Sequence, residues 1–465
     1  MILSFNANDM IAEKIHIREI VGGRFDNAFV LFNHRALNSK YPVYPLKHFL
    51  IGKPQYGAGE IGVPRTNVDS PRYIRITDID ENGSLIDNIG VTANSIDNKY
   101  ILNNNDILIA RSGNTVGKSY IHKTNIIKET CIFAGYLIRF VIDESQILPD
   151  YVFIFTKLSA FSDWVKVTQR VTGQPNINAE EYSNLLLPVP PIEVQQEIVD
   201  IYSNALQTRL YKRQEATKLI NSIDDYLFDF LRVNKNLYEI DERHVFVNRI
   251  SSMIGKRLDV SFYSNKFEMV STLYPNEELS VLVEIDPTIS FNNLDPDMAI
   301  SFVPMESIDE QYGEIKGCKE TSISKTKGYT KFEENDLLWA KITPCMQNGK
   351  SAIARDLING RGCGSTEYFV MRPKDDSVLI EYIYLLLRHH SVLNAAQCSF
   401  GGSAGQQRVS SQYIKSIRVP KPDVNVQKEI VSTAFTTKQK AKSLQIEGNT
   451  LLNTAIHHIE SLIIG

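Results

Sequence analysis

The segment with the most reactive appearance is Ser112-Gly-Asn-Thr-Val-Gly-Lys-Ser119. A phosphate-binding loop needs G-x-x-x-x-G-K-[ST], so that successive backbone N–H groups wrap the phosphates and the lysine reaches them. Here Gly113 stands one residue too close to Gly117, position 112 is serine, and no acid on a parallel strand offers to hold magnesium. The stretch reads better as a turn that presents Arg111, Ser112, Asn114, Thr115 and Lys118 to a polyanion, with a structural hairpin turn as the next reading.

Charge distribution points the same way, although the formal net charge of -4 rules out a protein coated in positive charge. Acids are absent from Ile107 to Lys128, where Arg111, Lys118, Lys123 and Lys128 stand. They are absent again from Trp164 to Ala179, where Lys166, Arg170, Thr172, Gln174, Asn176 and Asn178 cluster, and from Tyr382 to Pro422, which holds Ser403, Gln406, Gln407 and Arg408. Lys341, Thr343, Gln347, Asn348 and Lys350 form a further polar, basic group, and Arg75 sits in the strand-like Tyr73-Ile-Arg-Ile76. Lys and Arg neutralise phosphates, while Asn, Gln and Arg carry the donor and acceptor geometry that reads base edges in the major groove. Solvated loops are the competing reading for any one of these residues.

Catalytic and metal chemistry find little support. No Asn/Asp-Pro-Pro-aromatic segment is present to hold a flipped base, no carboxylate cluster with lysine suggests a nuclease, and nothing sets a nucleophile beside a base. Five scattered cysteines (Cys131, Cys318, Cys345, Cys363, Cys398) include no C-x-x-C pair. His389-His390 and His457-His458 are adjacent in sequence and cannot share a helix face as ligands at i and i+4 do. The start of the chain meets Asn and Asp too soon for a signal peptide, and no apolar run approaches the roughly 18 residues of a membrane span, so a cytoplasmic protein is expected.

The elements that must position these residues come in two copies. Gly23-Arg-Phe-Asp26 is answered by Lys256-Arg-Leu-Asp259, and Asn105-Asp-Ile-Leu-Ile-Ala110 by Asn335-Asp-Leu-Leu-Trp-Ala340. Gly117-Lys-Ser119 pairs with Gly349-Lys-Ser351, and Gly173-Gln174 with Gly405-Gln406. Val189-Pro190 before Val194-Gln-Gln-Glu-Ile-Val199 pairs with Val419-Pro420 before Val426-Gln-Lys-Glu-Ile-Val431. Every offset falls between 230 and 233. Within each copy, short β-rich runs bounded by Asn/Gly turns give way to a long stretch of helical period. Ile198, Ile201, Ala205, Ala216, Ile220, Ile223, Leu227 and Phe230 mark the first apolar stripe, which is interrupted near Arg209, Lys212 and Arg213. Ile430, Ala434, Ala441, Leu444, Leu451, Ala455, Ile459 and Leu462 mark the second, with Lys438, Lys440 and Lys442 loosely matching the interruption. Helices this long with a narrow seam need a helical partner, and the other copy supplies one.

In their order, duplication and spacing these motifs resemble the specificity subunits of type I restriction-modification systems. The resemblance spans nearly the whole chain: an Arg-x-Asp opening, an Asp-Ile-Leu-Ile-Ala strand, Gly-Lys-Ser, and Val-Pro before a helix beginning near Gln-Glu-Ile-Val. This sequence differs in carrying some fifteen residues ahead of its first repeat and in placing Pro344 and Cys345 in the second glycine-rich segment. The resemblance implies an α+β fold: two tandem globular target-recognition domains separated by a long antiparallel coiled coil formed by a central and a C-terminal helix. The expected divisions are a first recognition domain at 1–190, a central helix at 191–233, a linker at 234–247, a second recognition domain at 248–420 and a C-terminal helix at 421–465.

The resemblance further implies a non-catalytic subunit that reads an asymmetric bipartite site on double-stranded DNA and docks two DNA-methyltransferase subunits. S-adenosylmethionine would belong to those partners, ATP and Mg to restriction motor-nuclease subunits, and no cofactor or metal to this chain. The specificity subunit of a type IIB-like system, a nucleotide-binding enzyme using the Gly-Lys-Ser segment, and a protein-binding scaffold are the alternatives.

Overall fold

Strands of the two repeats lie along continuous apolar runs that a mixed core buries on both faces. In the computed structural model, which describes residues 39–67, 69–86, 89–169, 175–233, 268–397, 399–401 and 406–464, Ile107–Ala110 and Leu337–Ala340 are buried at every position. Each is entered through an asparagine at φ 68°, Asn105 or Asn335. This left-handed conformation is one that asparagine tolerates better than most side chains.

Around these strands the same α+β module is built twice. In the first, a four-stranded antiparallel sheet runs in the order Gln55–Tyr56, Leu137–Phe140, Ile107–Ala110, Ser119–Ile121. In the second, the order is Val283–Ile285, Tyr368–Pro373, Leu337–Ala340, Ser351–Ile353. A parallel pair accompanies each sheet, Arg72–Ile74 with Cys131–Phe133 and Ala299–Val303 with Arg361–Gly364. The ends of each module are tied by a short antiparallel ladder, Val43–Pro45 to Leu186–Pro188 and Asn276–Glu278 to Arg418–Pro420. The central sheet, the parallel pair and the closing ladder recur at a nearly constant offset, although the second module's parallel pair lies within a four-stranded sheet that adds Lys319–Ser322 and Thr330–Glu333.

Prolines at 190, 191, 420 and 422 bar a helix from starting earlier. Beyond them run two helices of 40 residues, Ile192–Leu231 and Val424–Ile463. A buried glutamine fastens each helix start to its module. Gln195 Nε2 donates to the Pro190 carbonyl while its Oε1 accepts from Leu148 N–H. Gln427 repeats this with Pro422 and Leu379 and adds a bond to the Ser377 carbonyl.

The chain divides into two compact units, Met1–Leu210 with Glu447–Gly465 and Tyr211–Ile446, so each unit takes one module and part of both long helices. In the first unit, Ile198 and Tyr202 share a core with Leu452, Ile459 and Ile463. Nearer the other end of this stretch, Arg209 Nε donates to Asn449 Oδ1 at 2.7 Å. Residue numbers thus fall along one helix as they rise along the other, and the pair is antiparallel. In the second unit Ala216 meets Ala441, and Leu227 and Leu231 share a core with Ile430 and Ala434 in the same sense.

Each module also draws on the far end of the other repeat's helix. Glu460 accepts from Ser159 N–H at the start of helix Ser159–Thr168. Asp224 does the same for His390 N–H at the start of helix His390–Gln397. The opening residues behave alike: Lys40 N–H donates to the Ile463 carbonyl, and Thr272 N–H to the Arg232 carbonyl.

Two details of the expected seam are corrected. Leu451 is 45% exposed, and the buried position is Leu452. Eleven residues from Ala441 come within about 20° of whole turns at 3.6 residues per turn, whereas ten fall about 80° short. The polar interruption at Arg209 is a close approach of the two helices: a side chain at Gly448 would press on the Arg209 backbone. Lys438 and Lys442, which loosely match that interruption in the second helix, both pair with Glu314 of their own unit. Among the described residues, no helix is long and apolar enough to cross a membrane. The Arg-x-Asp openings and the expected linker at 234–247 lie outside the described residues.

Candidate nucleic-acid interface

The strand Ile107–Ala110 delivers Arg111 to one end of the first module, and the backbone there is held from both sides. Arg111 N–H donates to the Tyr136 carbonyl and its own carbonyl accepts from Ile177 N–H, each at 2.9 Å. Gly113, at φ +75°, lets its N–H reach the Pro175 carbonyl at 2.9 Å. Ser112 therefore lies directly across from Asn176. The Arg111 guanidinium stacks 4.8 Å from the Tyr56 ring centroid. Its Nε and the Oδ1 of Asn176 are buried without a hydrogen-bond partner among the described residues. A buried polar atom left unpaired costs about 1–3 kcal/mol, so two at one place suit a site completed by a ligand.

These residues face a groove of about 1070 Å3 that also takes in Arg75, Thr115, Tyr73, Tyr136 and Glu60. Arg75 is oriented by a bidentate pair with Asp78 at 2.9 and 3.0 Å. Burial alone would raise the Asp78 pKa, but the hydrogen bonds from Arg75 hold it below the ordinary carboxylate range. The groove combines cations, amide and hydroxyl groups with exposed aromatic surface, Tyr136 being 64% exposed. Phosphate neutralisation, base-edge hydrogen bonding and stacking on a nucleic acid need this combination.

The second module repeats the backbone and changes the side chains. Lys341 N–H donates to the Glu367 carbonyl, the Lys341 carbonyl accepts from Val409 N–H, and Thr343 N–H donates to the Gln407 carbonyl, all at 2.9 Å. Lys341 thus stands where Arg111 does, Glu367 where Tyr136 does, and Arg408 where Asn176 does. The Lys341 ammonium lies 5.3 Å from the Phe369 ring centroid. Arg408 grips the Glu367 carboxylate through Nε at 2.9 Å and Nη2 at 2.7 Å.

Of the residues singled out in the sequence, the first groove gathers Arg75, Arg111, Ser112, Thr115 and Asn176. Asn114 is exposed on the same turn. Lys118 and Lys350 do not join: each ammonium donates to a carbonyl of its own module, Ile76 or Met305, at 3.2 Å. Lys166 pairs with Asp163 on an exposed helix face. Asn178 caps helix Ala179–Ser183 by accepting from Glu181 N–H. Gln347 bonds the side chain of Gln397, while Asn348 and Gln406 are exposed. Arg170, Thr172, Gln174 and Ser403 lie outside the described residues.

Sequence reasoning missed Tyr56, Tyr136, Glu60 and Glu367. A usable signal was present in Tyr56-Gly-Ala-Gly59 and Ala134-Gly-Tyr136, aromatics beside small residues. A side chain at Gly57 would overlap the Ala134 carbonyl, so the two segments can close on each other only with glycine there.

His389 and His390 are brought together with Asp224, the single cluster of metal-ligand type among the described residues. His389 Nδ1 accepts from Ser391 N–H, which leaves the proton on Nε2, facing the Asp224 carbonyl at 3.3 Å. Its one lone pair, on Nδ1, is already engaged by Ser391 N–H, and His390 Nδ1 is bonded to the Asp224 carboxylate at 2.7 Å. The cluster is a helix cap.

Similarity to known proteins tracks the two repeats. A family model described as "Type I restriction modification DNA specificity domain" matches residues 65–219 and again 280–447. The specificity subunits of the type I restriction enzymes EcoAI and EcoEI, both from Escherichia coli, are each 33% identical to this chain, over 190 and 189 residues. Those stretches are 40% of this chain and 31% of either relative, so the match spans about a third of the length of these curated relatives. The S subunit of the type I restriction-modification system from M. genitalium aligns over 95% of this chain and 98% of its own. Its sequence identity is 12% and the TM-score 0.38. Since the family model covers more than half of the sequence and recurs once in each repeat, the chain belongs to the type I restriction modification DNA specificity domain family.

Proposed function

We propose that this chain is the DNA-reading subunit of a type I restriction-modification methyltransferase complex, each module contacting one half of a split, asymmetric site. One observation carries the reading. The same backbone arrangement at the end of the central strand presents Arg111, Tyr136 and Asn176 in one module and Lys341, Glu367 and Arg408 in the other. A scaffold kept twice with different polar groups on it suits the recognition of two unequal half-sites.

The antiparallel long helices, each about 60 Å at 1.5 Å per residue, form in this reading a coiled coil that fixes the spacing between half-sites and docks two methyltransferase subunits. S-adenosylmethionine, base flipping and methyl transfer belong to those partners, and ATP-driven restriction to motor-nuclease subunits where they join. The chain itself would bind no cofactor and work in the cytoplasm. A nucleotide-hydrolysing reading of Gly-Lys-Ser is disfavoured, because Lys118 and Lys350 spend their ammonium groups on their own modules.

Methylome sequencing of cells with and without the chain tests the proposal. The expected outcome is loss of one split methylation motif with two unlike halves and a fixed spacer. Methylation unchanged by deletion of the chain overturns it.

A further inference from the structure

We infer that Asn176 and Arg408, at equivalent places in the two modules, are the residues that make the half-sites differ, the first reading an adenine and the second a guanine. This rests on the reading of the chain as a DNA-specificity subunit. The two residues occupy one backbone position, since Asn176 is bridged to Ser112 and Arg408 to Ile342 beside equivalent hydrogen bonds. Their side chains offer opposite chemistry. Asn176 lines the groove of its module with an Oδ1 that has no partner among the described residues. A carboxamide supplies an acceptor and a donor side by side, which matches N6 and N7 of adenine.

Arg408 is 43% exposed along its side chain, and its donors are already sorted. Glu367 takes the Nε–Nη2 edge, and Nη1 donates to the Gln406 carbonyl at 3.1 Å. The outer Nη1–Nη2 edge is left with two parallel N–H groups, the complement of guanine O6 and N7. The carboxylate on the inner edge fixes the guanidinium plane, so less side-chain freedom is lost when a base is bound. Glu367 is therefore a positioning residue. In the first module its place is taken by Tyr136, which leaves Asn176 unbuttressed but adds an exposed ring at the groove.

The test is methylome sequencing of cells that carry the full chain and its methyltransferase partners with N176A, R408A, R408K or E367Q. N176A is expected to relax one adenine-containing position in one half of the motif, and R408A one guanine-containing position in the other half. Each change corresponds to roughly 10- to 100-fold lost discrimination. R408K keeps the charge and loses the fork, so it relaxes the same position as R408A. E367Q weakens preference at that position without moving it. A chain-dependent motif left unchanged by N176A and R408K overturns the assignment alone, whereas a motif independent of the chain overturns the underlying reading. If R408A and R408K both abolish methylation, binding of the purified complex to a non-cognate duplex decides. Retained binding supports base reading, and lost binding assigns Arg408 to the scaffold and overturns the inference.

Discussion

The two modules differ least where a side chain serves the backbone and most where it meets solvent or core. Tyr151 and Tyr382 both donate to the proline carbonyl that ends the closing strand, Pro188 and Pro420. Gln195 and Gln427 anchor the two long helices alike, and Asn105 and Asn335 share one φ. Each tyrosine and glutamine satisfies a fixed backbone carbonyl that another residue type would leave unpaired inside the protein, and each asparagine takes a left-handed conformation that few other side chains tolerate. Core positions are filled by different shapes, Ile109 in one copy and Trp339 in the other, both fully buried. At the end of the central strand, Tyr136 and Asn176 are replaced by the paired Glu367 and Arg408. The fold is thus specified by a small polar framework, and the rest of each module can vary.

The sharpest way to break this equivalence is the ion pair under the central strand. Asp336 is 1% exposed along its side chain and receives two parallel bonds from Arg372, at 2.7 and 2.8 Å. Its counterpart Asp106 has a single contact with Arg139 at 3.4 Å, and Arg139 shares its donors with the Ile101 carbonyl and Gln55. R372A is expected to destabilise the second module by about 3–5 kcal/mol, since it strands a buried carboxylate. R139A should cost the first module roughly 1–2 kcal/mol. The chain's two tryptophans make the comparison measurable, because Trp164 is buried in the first module and Trp339 in the second. Denaturant titration of single-tryptophan variants, W164F or W339F, follows each module by fluorescence. Equal losses would show that the pairs are interchangeable after all.

Much of this framework was legible in the sequence. The Asn-Asp before each central strand, the Val-Pro before each helix and the glutamine three residues before Ile198 or Ile430 are local in the chain, and their physical roles are local too. The candidate interface was legible only in part. Arg111 and Asn176 stood out by type, but Arg111's partners Tyr56 and Tyr136 come from segments far away in sequence, and only the folded sheet brings them together. Lys118 and Lys350 misled for the converse reason. A lysine after glycine looks free in a sequence, yet each reaches a carbonyl more than forty residues away. The register of the second long helix was missed by one residue at Leu451 because eleven-residue spacing fits the helix period better than ten.

A smaller effect separates the modules in acid. His389 is fully buried and stacks on Phe228 at 3.9 Å, where the first module has Leu158. Burial pushes the His389 pKa down to about 4, against the opposing pull of Asp224. The unfolded chain takes up this proton below about pH 6.5, while the folded one declines it until near pH 4. Stability from this group is therefore present above 6.5 and lost as the pH falls towards 4. At pH 5 the second module should have lost on the order of 1–2 kcal/mol relative to pH 7.5 from this source. H389L should remove that acid dependence and bring the module closer to the first, as read by Trp339. A pH profile of the Trp339 transition identical in H389L and the unaltered chain would place the acid sensitivity elsewhere.

The smallest expected effect concerns what the modules share, the carboxylate lent by the far end of the opposite helix. Burial raises the Glu460 pKa, but the bonds from Ser159 outweigh it and hold the group below the usual range. Its contribution is therefore present above the ordinary carboxylate pKa and fades as the pH falls. Removing such a cap costs about 1 kcal/mol, so E460A should weaken the first module by about that much and leave the second unchanged. D224A should do the reverse and slightly more, because Asp224 also holds the His390 ring. Should E460A instead weaken the module reported by Trp339, the pairing of each module with the opposite repeat's helix would be refuted. That outcome would also remove the physical basis for treating the long helices as reciprocal struts.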